Sequence, residues 1–199
     1  MEKFLVLKSS VLGSHSVTTK LIDRFTEQLS DDTNIIERDL VETPIPQVNG
    51  DIAAALAGQD HSLPHQKAAV SLSDQLIDEI KWSDTLIIAA PMYCFTIPSQ
   101  LKSWFDFIAR AGHTYVHTSE GPKGLINNKK AIVVTSRGGI HQNTDRDHVT
   151  SYITTVLNFI GIDDIQFVYA EGMTISPEFA QQSLEKASNE LFSLLPSKL

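Results

Sequence analysis

Four large, flat or polarisable side chains follow one another near the middle of the chain: Met92, Tyr93, Cys94 and Phe95. Before them, residues 85–88 (Thr-Leu-Ile-Ile) form an apolar run rich in β-branched residues, which is typical of a strand buried on both faces. After them, Pro98 and apolar residues at helical spacing predict the start of a helix. Side chains of this kind, at the carboxyl end of a parallel strand, are suited to contact a planar aromatic ligand. A hydrophobic turn that packs under the following helix is the alternative, for Phe95 in particular.

Hydroxyl groups are concentrated after an earlier apolar run, Phe4 to Leu7, and the site candidates among them are Ser10, Ser16 and Thr18. A helix is predicted just beyond them, with Ser14 or Ser16 as its cap. Free N–H groups at a helix N-terminus bind anions, so this loop is a candidate phosphate site built from neutral donors. The glycine spacing of a P-loop or a dinucleotide fingerprint is absent. A capped helix after a polar turn explains this loop, taken alone, without any ligand.

A third loop, residues 136–141 (Ser-Arg-Gly-Gly-Ile-His), follows the buried run Ala131 to Thr135. The paired Gly138 and Gly139 allow the backbone to approach a ligand closely and to offer N–H groups to ring carbonyl oxygens. Ser136 and Arg137 lie at the same strand end. A simple strand-ending turn is the alternative for this loop.

Strand-like and helical patterns alternate along the chain, which predicts an α/β fold with a parallel sheet covered by helices on both faces. The predicted strands are Phe4–Leu7, Asn34–Asp39, Thr85–Ile88, Ala131–Thr135 and Ile165–Tyr169. In the doubly wound order 2-1-3-4-5, the three loops lie side by side at the crevice that receives a mononucleotide. Residues 40–64 and 113–128 are predicted to be long and irregular, with a helical turn at residues 53–56, and residues 1–199 to form one domain.

Composition excludes several classes of function. The chain has 199 residues and a formal net charge of -8, which disfavours binding to nucleic acid or to an anionic membrane. One cysteine permits no intrachain disulfide, and this fits a cytoplasmic location. We find neither a signal peptide at the N-terminus nor an apolar stretch near the roughly 20 residues of a membrane span.

Several segments together resemble the FMN-dependent NADH azoreductases, also described as NADH:quinone oxidoreductases, of the flavodoxin-like superfamily. The resemblance extends over nearly the whole chain. Its segments are residues 5–10 (LVLKSS), 89–93 (AAPMY), 100–102 (QLK), 105–106 (FD), 109–112 (ARAG), 135–141 (TSRGGIH), 159–161 (FIG) and 170–172 (AEG). It implies a flavodoxin-like fold and tightly bound, non-covalent FMN.

The resemblance also implies the residues that bind FMN. The phosphate and ribityl chain map onto Ser10, Ser16, Val17 and Thr18. The isoalloxazine ring maps onto Met92, Tyr93, Cys94, Phe95, Ser136, Arg137, Gly138 and Gly139.

Two positions depart from the family. Cys94 stands where the family usually has Asn, whose amide both donates and accepts hydrogen bonds. Val17 replaces a residue that is often polar, so its contact would be through the backbone.

The activity implied by the resemblance is a ping-pong reaction in which NADH or NADPH gives a hydride to the flavin and leaves. A quinone or azo compound then takes the electrons. Neither a catalytic side chain nor a metal site is expected, because the cofactor carries the chemistry. Cys94 lacks an evident base partner, and His141 is either a proton donor or a solvated loop residue. Arg137 either steadies negative charge on the reduced ring or pairs with an acid.

Alternative functions remain open. They are an FMN- or chromate-reductase-like enzyme with the same fold, and a flavodoxin-like electron carrier. The two long segments argue against a carrier, which needs an exposed flavin edge. A phosphoacceptor module would need clustered carboxylates after the first strand, where this chain has Lys8-Ser9-Ser10. Analogy with the family, together with apolar surface expected from Trp104 and Tyr115, predicts a homodimer.

Overall fold

The computed structural model describes residues 2–30, 32–59 and 62–196. Five parallel strands form its main sheet: β1 (Lys3–Lys8), β2 (Asn34–Asp39), β3 (Thr85–Ala89), β6 (Lys130–Ser136) and β7 (Asp164–Ala170). Their order in the sheet is β2-β1-β3-β6-β7, which confirms the predicted flavodoxin-like arrangement. A separate antiparallel pair consists of β4 (Tyr115–Thr118) and β5 (Gly121–Gly124).

The central strands are buried because helices cover both faces of the sheet. In β1, Leu5 and Leu7 belong to one hydrophobic cluster, while Phe4 and Val6 belong to the cluster on the other face. This alternation follows from the two-residue period of a strand, which sends successive side chains to opposite faces. Strand β3 is buried along its whole length, as its apolar composition predicts.

The described ranges contain six α-helices, which connect or follow the strands: α1 (Val17–Thr26), α2 (Gly50–Leu56), α3 (Pro64–Trp82), α4 (Ser99–Ile108), α5 (His148–Ile160) and α6 (Pro177–Phe192). Ser16 caps α1 and Ser176 caps α6, each accepting a hydrogen bond from the backbone N–H three residues later. Gly161 ends α5 in the left-handed conformation, with φ of 104°. Among the described residues, no helix is long and apolar enough to cross a membrane.

Two segments predicted to be irregular contain regular structure. Residues 40–64 include α2, which contains the helical turn predicted at residues 53–56 and begins three residues earlier. Its N-cap Asn49 accepts from Ile52 N–H at 2.9 Å. Residues 113–128 include the β4–β5 hairpin, whose short strands give little periodic signal. The hairpin packs closely against the end of α5, since a Cβ built on Gly124 would lie 2.2 Å from the backbone nitrogen of Gly161.

Trp104 does not provide the exposed apolar surface that the sequence led us to expect. Its side chain is fully buried in the core and makes an edge contact with Phe105 at 5.2 Å between ring centroids. Tyr115 is half-buried and contacts Phe159 at 4.3 Å. That part of the argument for a dimer was therefore wrong, because α4 turns Trp104 towards the sheet.

Candidate functional site

The three loops meet at the carboxyl edge of the sheet. Ser10 Oγ and the Tyr93 hydroxyl are 2.8 Å apart, which joins the first loop to the second. Met92 N–H donates to the carbonyl of Ser136 at 2.9 Å, which joins the second loop to the third. The structure thus places the predicted site residues at one edge, as neighbouring parallel strands require.

The first loop presents backbone donors at the start of α1. Ser16 Oγ accepts from Thr19 N–H at 3.2 Å and lies 3.0 Å from Thr18 Oγ1. Both hydroxyl-bearing side chains are buried. The N–H groups of Val17 and Thr18 occupy the first two helical positions, where no intrahelical acceptor exists. An anion at this helix end would satisfy them.

Lys8 stands close in sequence to this loop, but its ammonium group is already paired. It lies 2.7 Å from Asp23 and 2.7 Å from Glu37. Burial alone would lower the pKa of Lys8, but its hydrogen bonds and charge interactions with the two carboxylates outweigh burial and raise the pKa. The positive charge of Lys8 therefore ties β1 to α1 and β2, and the donors that the first loop presents at the start of α1 are neutral.

Ser9 is a residue that the sequence analysis missed. Its buried hydroxyl donates to the carbonyl of Ala89 at 2.6 Å, which fastens the end of β1 to the end of β3. A serine among other serines gave no signal of this role, because the partner is distant in sequence.

The second loop is a tight turn with unusual backbone geometry. Tyr93 and Thr96 exchange backbone hydrogen bonds of 2.9 and 3.1 Å. Between them, Cys94 has φ of 48° and Phe95 has φ of 67°. Positive φ at both central positions is the pattern of a type I′ turn, which normally selects Asn, Asp or Gly. Phe95 is 48% exposed, so it does not pack beneath α4.

This geometry gives the Cys94 departure a physical consequence. Asn tolerates the left-handed conformation better than Cys, so Cys94→Asn should raise the free energy of unfolding by roughly 0.5 kcal/mol. The amide also offers both a donor and an acceptor, so the FMN dissociation constant should fall. Denaturant curves and FMN titration measure the two effects. Cys94→Ser is the control, and equal stability and affinity in all three proteins would contradict the expectation.

The third loop is held through its carbonyl groups. The Gly138 carbonyl accepts from Thr174 N–H at 3.1 Å, and the Gly139 carbonyl accepts from Gly172 N–H at 2.9 Å. Within the described part of the chain, no group accepts from the N–H of Gly138 or Gly139. The backbone N–H groups of Gly138 and Gly139 are therefore available to donate hydrogen bonds to the carbonyl oxygens of a ligand ring.

Arg137 is buried and paired with acids, which is one of the two roles that the sequence left open for it. Its Nη1 lies 2.9 Å from Asp147 Oδ2 and 3.5 Å from Glu171 Oε1. Its guanidinium also lies over the ring of Tyr169, at 5.2 Å from the centroid. Burial by itself would raise the pKa of Asp147, but the Arg137 guanidinium and hydrogen bonds from Thr150 outweigh it and lower the pKa.

The three partners of Arg137 were not singled out from the sequence. Asp147 and Glu171 are separated from Arg137 by 10 and 34 residues, and no local pattern marks them. Only the pairing of β6 with β7, and the position of the N-terminus of α5, bring them together.

Apolar side chains border the site on each loop. Val11 and Leu12 lie on the first loop, Phe95 on the second and Ile140 on the third, and all four are exposed. Phe95 makes an edge contact with the His141 ring at 5.7 Å. Spare backbone donors, a helix N-terminus and apolar borders form a set of groups that fits FMN.

Comparison with known proteins agrees with this geometry. The family described as having a flavodoxin-like fold matches residues 2–195. The FMN-dependent NADH:quinone oxidoreductase of Vibrio vulnificus (strain YJ016) is 50% identical over 194 residues, which are 98% of this chain and 99% of that protein.

Solved azoreductase structures share the fold. The azoreductase from Bacillus anthracis str. Sterne superposes with a TM-score of 0.86 at 25% identity, covering 98% of this chain and 100% of that one. The FMN-dependent NADH-azoreductase from Bacillus anthracis str. Ames Ancestor, solved in complex with FMN, gives a TM-score of 0.84 at 25% identity over the same shares. Fold and sequence together show that this chain belongs to the family of FMN-dependent NADH:quinone oxidoreductases.

Proposed function

We propose that this protein uses NADH or NADPH to reduce quinones through bound FMN, and that it also cleaves azo bonds reductively. The observation that carries the proposal is the joining of the three loops at one edge, through Ser10–Tyr93 and Met92–Ser136. The names of the relatives support the substrate classes.

In this proposal the start of α1 holds the phosphate and ribityl chain. Val17 and Thr18 donate backbone N–H groups, while Ser10 and Ser16 offer hydroxyl groups. Because these donors are neutral, phosphate binding depends on the helix N-terminus and on burial.

The second and third loops hold the ring. Met92, Tyr93, Cys94 and Phe95 border it on one side, and residues 136–139 on the other, with Gly138 and Gly139 donating N–H groups. FMN, when bound, supplies two-electron transfer between the nicotinamide and the acceptor. The protein binds and orients both substrates in turn, and the exposed Phe95 offers an apolar edge for a flat ligand.

The proposal is tested by the purified protein itself. It should be yellow, and FMN added to the stripped protein should restore the flavin absorption band. Initial rates at several NADH and quinone concentrations should give parallel double-reciprocal lines. Colourless protein that FMN leaves unchanged would refute FMN binding, and intersecting lines would refute the ping-pong order. Failure to oxidise NADH directly would favour the electron-carrier alternative.

We also propose a homodimer with the site near its interface. Exposed apolar side chains support it: Val48 and Leu63 flank α2, and Leu125 follows the hairpin. Sedimentation at micromolar concentration should show a dimer, and a monomer alone would refute the proposal.

We also propose a cytoplasmic location, because the single cysteine, Cys94, is a free thiol and the chain can form no intrachain disulfide.

A further inference from the structure

Glu171 lies directly after β7 and binds the far end of the third loop. Its Oε1 accepts from His141 N–H and from Gln142 N–H, both at 2.7 Å. The side chain is 12% exposed. Hydrogen bonds from N–H groups to an ionised carboxylate are stronger than those between neutral groups. The Glu171 carboxylate therefore anchors residues 141 and 142 of the third loop to the end of β7.

The near end of the loop is held by backbone bonds to the same segment. Arg137 N–H donates to the Ala170 carbonyl at 3.0 Å, and the Arg137 carbonyl accepts from Met173 N–H at 3.1 Å. Two side chains add to this fastening: Thr174 Oγ1 donates to the Gly138 carbonyl at 3.1 Å, and Glu171 binds residues 141 and 142. Without Glu171, residues 140–142 would lose both of the bonds that tie them to the end of β7.

The anchor also fixes the position of the His141 ring. A Cβ built on Gly139 would lie 2.9 Å from His141 Nε2, so the ring rests against Gly139. The same ring contacts Phe95 of the second loop. Glu171 therefore acts on both loops that are proposed to border the flavin ring, although it is not one of the predicted ligands.

Charge gives Glu171 a second effect. One positive group, Arg137, faces two negative groups, Asp147 and Glu171, so the cluster carries a net charge of -1. All three side chains are largely buried, at 1%, 7% and 12% exposure. Buried charges are screened less than surface charges, so their influence reaches neighbouring groups.

We propose that Glu171 is a positioning residue for this reaction: it holds the third loop in its binding conformation, and its charge lowers the reduction potential of FMN bound there. The inference rests on the proposed FMN site. A negative charge near a cofactor disfavours the addition of electrons, so its removal should make the potential more positive.

Two substitutions separate the anchor from the charge. In Glu171→Gln, the amide oxygen still accepts the two N–H bonds but the charge is lost. In Glu171→Ala, both are lost. Glu120→Gln is the control, since Glu120 is exposed in the hairpin turn. Three quantities are measured: hydrogen exchange of residues 137–142 in FMN-free protein, the FMN dissociation constant, and the midpoint potential of bound FMN.

For Glu171→Ala we expect faster exchange and an FMN dissociation constant about tenfold higher. For Glu171→Gln we expect exchange close to that of the unsubstituted protein and a more positive potential. Glu120→Gln should change none of the three. A merely structural role for Glu171 would leave the potential unchanged in Glu171→Gln.

Unchanged hydrogen exchange and FMN affinity in Glu171→Ala would show that Glu171 does not hold the loop. An unchanged midpoint potential in Glu171→Gln would show that its charge does not affect the flavin. Failure of the unsubstituted protein to bind FMN would instead refute the proposed function, while the exchange measurement still tests the anchor. If Glu171→Ala does not fold, Glu171→Asp takes its place, because the shorter side chain keeps the charge but cannot reach both N–H groups.

Discussion

Ser16→Asp is expected to weaken FMN binding by about a hundredfold while leaving the fold intact. The added carboxylate would stand at the start of α1, beside the proposed phosphate position. Two like charges about 4 Å apart near a protein surface repel by several kcal/mol, and about 2.7 kcal/mol corresponds to a hundredfold change in affinity.

Because Ser16 is buried, the added charge should lower the free energy of unfolding by about 1–3 kcal/mol, but Asp caps a helix about as well as Ser. The hydrogen bond that Ser16 accepts from Thr19 N–H can therefore be kept. FMN titration of the stripped protein gives the affinity, and thermal unfolding gives the stability.

Asn49→Asp is a matched control for Ser16→Asp. Asn49 caps α2 and is exposed, so this substitution also adds one negative charge at a helix N-cap. It should leave FMN affinity within about twofold. If Ser16→Asp binds FMN as tightly as Asn49→Asp does, the first loop is not the phosphate site.

Asp147→Asn is expected to lower the free energy of unfolding by about 3 kcal/mol at neutral pH. It removes the nearer of the two carboxylates that pair with the buried Arg137, at 2.9 Å, and leaves Glu171 at 3.5 Å. Breaking a buried pair is costly because the remaining charge keeps its desolvation penalty. Asn is a good N-cap, so the start of α5 should be preserved.

The effect of Asp147→Asn should depend on pH. The pKa of Asp147 is lowered in the folded protein from its ordinary value of 3.8. Its contribution to stability is therefore present above pH 3.8 and is lost as the pH falls through the lower, folded value. The stability difference between the two proteins should be largest near neutral pH and should shrink below about pH 4.

Denaturant unfolding across this pH range measures that difference. Asp145→Asn is the control, because Asp145 is exposed two residues away. An equal loss of stability in both variants would show that the Arg137 pair is not the cause.

Several features of this protein follow from its sequence. The apolar runs of β1, β3 and β6 predicted a parallel sheet, since only a strand covered on both faces is apolar at every position. The polar, aromatic and glycine-rich loops after these strands predicted a shared site, because parallel strands present their carboxyl ends at one edge. The local chemistry of helix capping predicted that α1 starts at Ser14 or Ser16, and the structure makes Ser16 the cap.

Other features depend on contacts between segments that are distant in sequence. The cluster of Arg137 with Asp147 and Glu171, and the bond from Ser9 to Ala89, join residues that no local pattern connects. The burial of Trp104 depends on which face α4 turns towards the sheet. The position of the β4–β5 hairpin depends on its close packing against Gly161. Periodicity and capping act within a few residues and are visible in sequence, whereas charge pairing and close packing are set by the arrangement of whole strands and helices.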